Sequence, residues 1–109
     1  MDFTEKEPVM NAIQNIAPEE FETTVVITND LGLHARPAAL VAQTAQKYTA
    51  DVALIASDRR VDAKSILDIL SLAASKGTTL TVRGKGKDAE DCIRTIAGLV
   101  RVQFQEEPQ

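Results

Sequence analysis

Residues 23–38 read TTVVITNDLGLHARPA, a stretch that passes from a β-strand through a turn into an α-helix. The β-branched run Thr23–Thr28 favours a strand, and Asn29–Gly32 contains the Asn, Asp and Gly residues typical of a turn. From Ala35 to about Tyr48 the apolar residues recur at helical spacing. His34 is therefore predicted to be the N-cap, directly before the first helical residue. The face of this helix that we expect to be buried comprises Leu40, Val41, Ala45 and Tyr48.

The start of this helix has the features of an anion site. The first N–H groups of a helix have no intrahelical acceptor, and the helix dipole places partial positive charge at the same end. These amides belong to Ala35 and Arg36, and the Arg36 guanidinium adds a fixed charge whose planar fork fits a phosphate. Pro37 suits the first turn, where its missing N–H costs nothing. An imidazole at this place, on the only histidine of the chain, predicts a nucleophile that accepts a phosphoryl group; a plain helix cap is the alternative.

The rest of the chain continues with strands and helices in turn. Two short strands joined by a hairpin turn precede a helix that begins at Ser65, ends near Ser75 and is closed by Lys76-Gly77. A further strand precedes the last helix, which opens at Asp88 or Ala89. The order βα-ββ-αβα predicts an α+β open-faced β-sandwich, with three helices on one face of a four-stranded antiparallel sheet. The strands after the first are predicted at Asp51–Ala56, Arg60–Ala63 and Thr79–Gly84.

Composition limits the class of protein. The 109 residues suffice for one small core, and the formal net charge is −4. The chain lacks a dense basic stripe, which argues against nucleic-acid binding, and it lacks an apolar run of about 18 residues, which argues against membrane insertion. One histidine and one cysteine are too few for a zinc site, so we expect neither a metal nor another cofactor. The cysteine, Cys92, lies on an apolar helical stripe and is expected in the core.

The chain divides into three predicted parts. Residues 1–20 are acidic and contain two prolines, which predicts a flexible extension with one short helical turn near Met10–Ile16. Residues 21–104 form the predicted domain. Residues 105–109 form a predicted C-terminal tail.

The heptapeptide Gly32–Ala38, GLHARPA, resembles the active-site sequence of HPr, the family of histidine-containing phosphocarriers of the bacterial phosphoenolpyruvate:sugar phosphotransferase system. The resemblance extends over about residues 21–104, in order and without a large gap. It implies a carrier, not an enzyme, in which His34 takes a phosphoryl group from a histidine of Enzyme I through Nδ1 and passes it to EIIA domains. It also implies that Ala35 and Arg36 hold the phosphoryl oxygens, and that the protein is a cytoplasmic monomer without a cofactor.

Ser65 is the second residue of interest. Together with Asp68, three residues later, it matches a capping box, in which each side chain accepts from the backbone N–H of the other residue. Ser65 also follows His34 by 31 positions, which is the separation found in the HPr family. The resemblance therefore implies that Ser65 is a regulatory phosphorylation site for an HPr kinase/phosphorylase.

Apolar residues next to these two positions predict a surface where partners dock. The candidates are Leu33, Ile66 and Leu67. For Leu33, a place in the core is an equal alternative.

Three functions are compatible with these residues. The first is a phosphocarrier for sugar uptake, and the second is a carrier with the same chemistry in the nitrogen-related regulatory branch. The third is a binding module that acts only through phosphorylation of Ser65. Such a module is expected to lack the active-site histidine, and His34 is present.

Overall fold

The computed structural model describes residues 12–104, which form five strands and three helices. In chain order these are β1 (Gln14–Ala17), β2 (Glu20–Val26), α1 (Ala35–Gln46), β3 (Asp51–Ala56), β4 (Arg59–Asp62), α2 (Ile66–Leu72), β5 (Thr79–Lys85) and α3 (Ala89–Arg101).

The strands form a single antiparallel sheet in the order β1-β2-β5-β3-β4. Side chains alternate along the central strand β5, where Leu80 and Val82 are fully buried and Thr79 is exposed. Helix α3 packs across β2, β5 and β3, and α1 packs against both other helices. The predicted α+β open-faced sandwich, with three helices on one face, is confirmed, and the sheet has five strands in place of the predicted four.

The additional strand β1 lies within the segment predicted to be a flexible extension. Gln14–Ala17 pairs with β2, so this part of the extension is a strand, and the helical turn predicted near Met10–Ile16 is wrong for its described residues 14–16. The Asn15 side chain closes the hairpin by donating to the carbonyls of Ala17 at 2.8 Å and Glu20 at 3.0 Å. This hairpin chemistry outweighs the weak local preference for a helical turn. Residues 1–11 and the predicted tail 105–109 lie outside the described part of the chain.

The core lies between the sheet and the helices. Along α3 the apolar stripe predicted from the sequence is fully buried at Cys92, Ile93, Ile96 and Val100. Burial also raises the pKa of the Cys92 thiol to about 11, so the thiol stays protonated and unreactive at neutral pH. The prediction of a core cysteine is confirmed.

Helix α2 ends earlier than the sequence suggests. Its last residue is Leu72, and Ala73 adopts the left-handed conformation, with φ of 53°, that ends the helix. The carbonyl of Ala74 then accepts a hydrogen bond from the amide of Leu33 at 3.0 Å, so the chain turns toward the loop before α1. Gly77, which we expected to close the helix, lies in the following turn and donates its N–H to the Ile27 carbonyl at 2.7 Å. A tertiary contact, not the glycine, therefore sets the end of α2.

Asp88 joins the start of α3 to the segment after α1. Its carboxylate accepts the backbone N–H groups of Thr49 and Ala50, each at 2.9 Å, and the Thr49 hydroxyl lies 3.3 Å away. The hydrogen bond from the Thr49 amide, together with that from Ala50, lowers the pKa of Asp88 below its ordinary value of 3.8. The ionised carboxylate thus stabilises the folded chain more than the protonated acid does.

We predict that Asp88→Asn lowers the melting temperature at neutral pH, because the amide has one acceptor oxygen and no charge. Since the pKa of Asp88 is lower in the folded state, its contribution to stability is fully present well above pH 3.8 and is lost as the pH falls through the folded-state pKa. Thermal melts from pH 7 to pH 2 should therefore show a difference between wild type and variant that shrinks with acid. Asp91→Asn, which removes an exposed ion pair with Arg94 and one negative charge from the first turn of α3, is the control and should change the melting temperature less. A gap between Asp88→Asn and wild type that stays constant down to pH 2 would contradict this account.

Candidate functional site

His34 occupies the N-cap of α1, as the sequence predicts. Its backbone is extended, with φ of −83° and ψ of −168°, and its carbonyl accepts the first helical hydrogen bond from Ala38 at 2.9 Å. The imidazole itself makes no capping hydrogen bond and is exposed to solvent. The ring is therefore free to react while its backbone is held by the helix.

The first turn of α1 presents an anion site beside the imidazole. Ala35 and Arg36 are the first two residues of the helix, Pro37 has no N–H, and the N–H of Ala38 donates to the His34 carbonyl. The side chains of both residues are exposed, and the guanidinium of Arg36 brings positive charge to the same end of the helix. The structure thus brings together the three residues predicted to accept and hold a phosphoryl group. Pro37 is buried, as expected for a residue that shapes the turn.

The loop before His34 is anchored to the end of α2. Leu33 donates its N–H to the Ala74 carbonyl at 3.0 Å, and its side chain is only 4% exposed and belongs to the core. Of the two alternatives that the sequence leaves open for Leu33, docking surface or core, the structure shows the core position, because this side chain lies inside the fold. Gly32 is required here, since its φ is +65° and a Cβ would lie 2.4 Å from the Ala74 carbonyl oxygen.

An open depression of about 620 Å³ adjoins the imidazole. Its walls come from the loop after β2, from the start of α1 and from the chain after α3. The lining residues are Asn29, Asp30, Leu31, His34, Arg36, Pro37, Gln103 and Phe104. Gln103 and Phe104 are not predicted from the sequence, because nothing in the local pattern brings residues so distant in the chain to His34. Leu31, which is 74% exposed and follows the turn residues Asn29-Asp30, is likewise not predicted.

Ser65 is the N-cap of α2, and its hydroxyl accepts from the Asp68 amide at 3.2 Å. The reciprocal half of the predicted capping box does not form. The N–H of Ser65 donates to the Asp62 carbonyl at 3.1 Å, and the Asp68 carboxylate instead lies 3.4 Å from the Asp62 amide. The turn between β4 and α2 already satisfies the Ser65 amide, so the Asp68 carboxylate accepts from the amide of Asp62, the last residue of β4.

His34 and Ser65 lie near opposite ends of α2. Ser65 starts this helix, whereas Ala74, just past its end, is bonded to the loop that carries His34. Seven helical residues correspond to about 10 Å of helix. The exposed apolar residues of α2 lie between the two positions and include the predicted Ile66 and Leu67, the latter 78% exposed, and also Leu70.

The described residues contain no cluster of three or more histidine, cysteine, aspartate or glutamate side chains that could hold a metal ion. Within residues 12–104 no helix has the length and apolar character needed to cross a membrane.

The chain is similar in sequence and in structure to known proteins. The family model described as "PTS HPr component phosphorylation site" matches residues 21–101. Phosphocarrier protein HPr of Xylella fastidiosa (strain 9a5c) is 38% identical over 86 residues, which cover 79% of this chain and 97% of the relative. Phosphocarrier protein NPr of Shewanella violacea is 37% identical over 87 residues, with coverage of 80% and 96%. Among solved structures, HPr of Thermoanaerobacter tengcongensis superposes with a TM-score of 0.75 at 40% identity and covers 80% of this chain and 98% of that one.

Proposed function

Because the chain belongs to the HPr family of phosphocarrier proteins, we propose that it carries a phosphoryl group on His34, received from phosphorylated Enzyme I and passed on to EIIA domains. The observation that carries this proposal is the placement of the only histidine. It stands exposed at the N-cap of α1, beside the amides of Ala35 and Arg36 and the guanidinium of Arg36. Such a relay operates in the cytoplasm.

The transfer exchanges one nitrogen–phosphorus bond for another. The lone pair of neutral His34 Nδ1 attacks the phosphorus of the donor's phosphohistidine, and the bond to the donor nitrogen breaks, so that its electron pair returns to the donor ring. The amides of Ala35 and Arg36 and the Arg36 guanidinium hold the phosphoryl oxygens while negative charge is spread over them. The same kind of exchange, now with phosphorylated His34 as the donor, passes the phosphoryl group to the EIIA domain. Hydrogen bonds to the phosphoryl oxygens stabilise both the transition state and the phosphorylated product. Because the stabilisation of the product is only moderate, the phosphohistidine remains reactive toward the next protein.

An exposed imidazole suits a carrier because it must enter the sites of other proteins. Leu31 lines the depression beside the imidazole and is itself exposed, and α2 exposes Ile66, Leu67 and Leu70. We propose these four residues as the docking surface, with Leu31 in the place that the sequence suggested for Leu33. Apolar patches rimmed by polar residues are typical of such surfaces.

The protein that accepts the phosphoryl group from this carrier determines whether the carrier serves sugar uptake or the nitrogen-related regulatory branch. Our first candidate is sugar uptake. A regulatory output through the nitrogen-related branch is the second, because a relative named NPr matches nearly as well as one named HPr, at 37% against 38% identity. Transfer from the phosphorylated protein to EIIA domains of each branch, compared under the same conditions, distinguishes the two. A module that acts through Ser65 alone is disfavoured, because such a module is expected to lack the active-site histidine and His34 is present.

We further propose that phosphorylation of Ser65 by an HPr kinase/phosphorylase regulates the carrier. The hydroxyl caps α2 and lies directly before Ile66 and Leu67. A phosphate there adds about two negative charges to the docking surface. Such charge repels an acidic partner while the helix dipole keeps the fold intact.

We predict that His34→Ala abolishes labelling by Enzyme I and phosphoenolpyruvate and leaves the fold intact, because the exposed ring makes no capping bond. Acid-labile phosphate and the circular dichroism spectrum are the two measurements. Acid-labile phosphate on the folded variant would show that another residue is the acceptor.

Arg36→Ala should slow transfer to and from His34 by roughly 10- to 150-fold. One charge-assisted contact to the phosphoryl oxygens corresponds to about 1.5–3 kcal/mol. Rapid-quench kinetics in both directions measure the effect. Arg94→Ala, which removes a guanidinium paired with Glu90 and Asp91 on α3, is the matched control and should transfer at the wild-type rate. Equal rates for Arg36→Ala and Arg94→Ala would rule out a role for the Arg36 charge.

Ser65→Asp should weaken transfer from Enzyme I and leave the melting temperature almost unchanged, because Asp is a good N-cap. The loss should shrink as salt is raised, since screening weakens repulsion between the added charge and the partner. Ser65→Asn, an equally good cap without charge, is the control and should behave as wild type in low salt. If Ser65→Asp transfers normally in low salt, or if both variants lose activity together, charge at Ser65 does not regulate docking.

A further inference from the structure

The side chain of Asn29 closes the loop that carries His34. Its Nδ2 donates to the Gly32 carbonyl at 2.8 Å, while the Gly32 N–H donates to the Asn29 backbone carbonyl at 3.2 Å. The same Gly32 carbonyl also accepts the backbone N–H of His34 at 3.0 Å. One oxygen atom therefore connects the amide of Asn29 with the backbone of the phosphoryl-accepting residue.

The other half of the Asn29 amide is unusual. Its Oδ1 is buried and has no hydrogen-bond partner, and it is the one buried side-chain polar atom in this state within residues 12–104. A buried acceptor without a donor is costly, and most folds avoid it. Turning the amide around would point Oδ1 at the Gly32 carbonyl oxygen and lose the bond from Nδ2. The orientation that keeps the bond to Gly32 is thus maintained although it leaves Oδ1 without a partner.

Asn29 also borders the depression that contains His34 and Arg36. The imidazole makes no capping hydrogen bond, so the place of the ring depends on the backbone that carries it. That backbone is held by Ala74 on the side of Leu33 and by Asn29 on the side of Gly32. The Ala74 contact is made by backbone atoms alone, whereas the Asn29 contact depends on the identity of a side chain.

We propose that Asn29 is a positioning residue for phosphoryl transfer, which fixes the Gly32 carbonyl and through it the place of His34. The inference rests on the proposed function. Transfer requires the attacking nitrogen and the phosphorus to approach to about 3–3.5 Å in line with the breaking bond, and a misplacement of about 1 Å is costly. A looser loop therefore lowers the rate of the transfer step within the complex. It leaves the docking surface, and with it KM, largely unchanged.

Two variants remove the donor in different ways. Asn29→Ala removes the whole amide, and Asn29→Asp replaces it with an isosteric group that cannot donate to the Gly32 carbonyl. Asn15→Ala is the matched control, since this amide also closes a turn by donating to backbone carbonyls, those of Ala17 and Glu20, but lies in the β1–β2 hairpin and not in the His34 loop. For each protein we would measure hydrogen exchange of the His34 amide, kcat and KM for phosphorylation by Enzyme I, and the melting temperature.

Both Asn29 variants should exchange the His34 amide faster and lose about 10- to 100-fold in kcat with KM little changed, while Asn15→Ala keeps the wild-type kcat and the wild-type exchange of the His34 amide. The loss in Asn29→Asp should persist in high salt, where the effect of its charge is screened. Wild-type kcat in both Asn29 variants, or a lower melting temperature with unchanged kcat, would overturn the positioning role. A wild-type protein that accepts no phosphoryl group would instead overturn the proposed function itself.

Discussion

The hydrogen bond between the Leu33 amide and the Ala74 carbonyl is the contact on which the geometry of the site depends. It joins the loop before α1 to the chain that leaves α2, two segments about forty residues apart in the sequence. The approach is so close that only glycine fits at position 32, with its positive φ and no Cβ. Leu33 is thereby drawn into the core, and His34, the next residue, is left at the surface. This one hydrogen bond therefore accounts for the burial of Leu33 and for the exposure of its neighbour His34.

The same contact relates the two positions of interest without bringing them together. Ser65 begins α2, and the loop of His34 is bonded just beyond the end of α2, so the helix separates the two residues by its own length. A charge at Ser65 therefore does not touch a phosphoryl group on His34. In the proposed regulation, the charge acts instead on the exposed apolar residues of α2 that lie between the two positions, and through them on a partner that covers both. We infer that the docking surface, more than the chemistry at His34, is the target of such a modification.

Local pattern was sufficient to predict α1, α3 and the class of the fold, because these depend on periodicity over many residues. It also predicted that His34, Ala35 and Arg36 meet at a helix start, since the three are adjacent in the chain. Strand β1 was missed because four residues of mixed character carry little signal, and its pairing depends on the hairpin that Asn15 closes.

Other features depend on contacts between distant segments, which no window of sequence contains. The burial of Leu33 and the left-handed conformation of Ala73 both follow from the junction with Ala74. The wall formed by Gln103 and Phe104 likewise depends on where α3 ends relative to β2. The residues proposed to carry the chemistry are thus identifiable from adjacent positions in the sequence, whereas the distant contacts that orient them are not.

In the proposed function, a preformed helix start receives the phosphoryl group on His34 without rearrangement of the fold. Backbone amide chemical shifts of the protein before and after phosphorylation test it most directly. We predict large changes at Ala35 and Arg36, smaller ones around the depression, and little change in the strands of the sheet. Shifts spread through α2 and the sheet, or an absence of change at Ala35 and Arg36, would contradict the account.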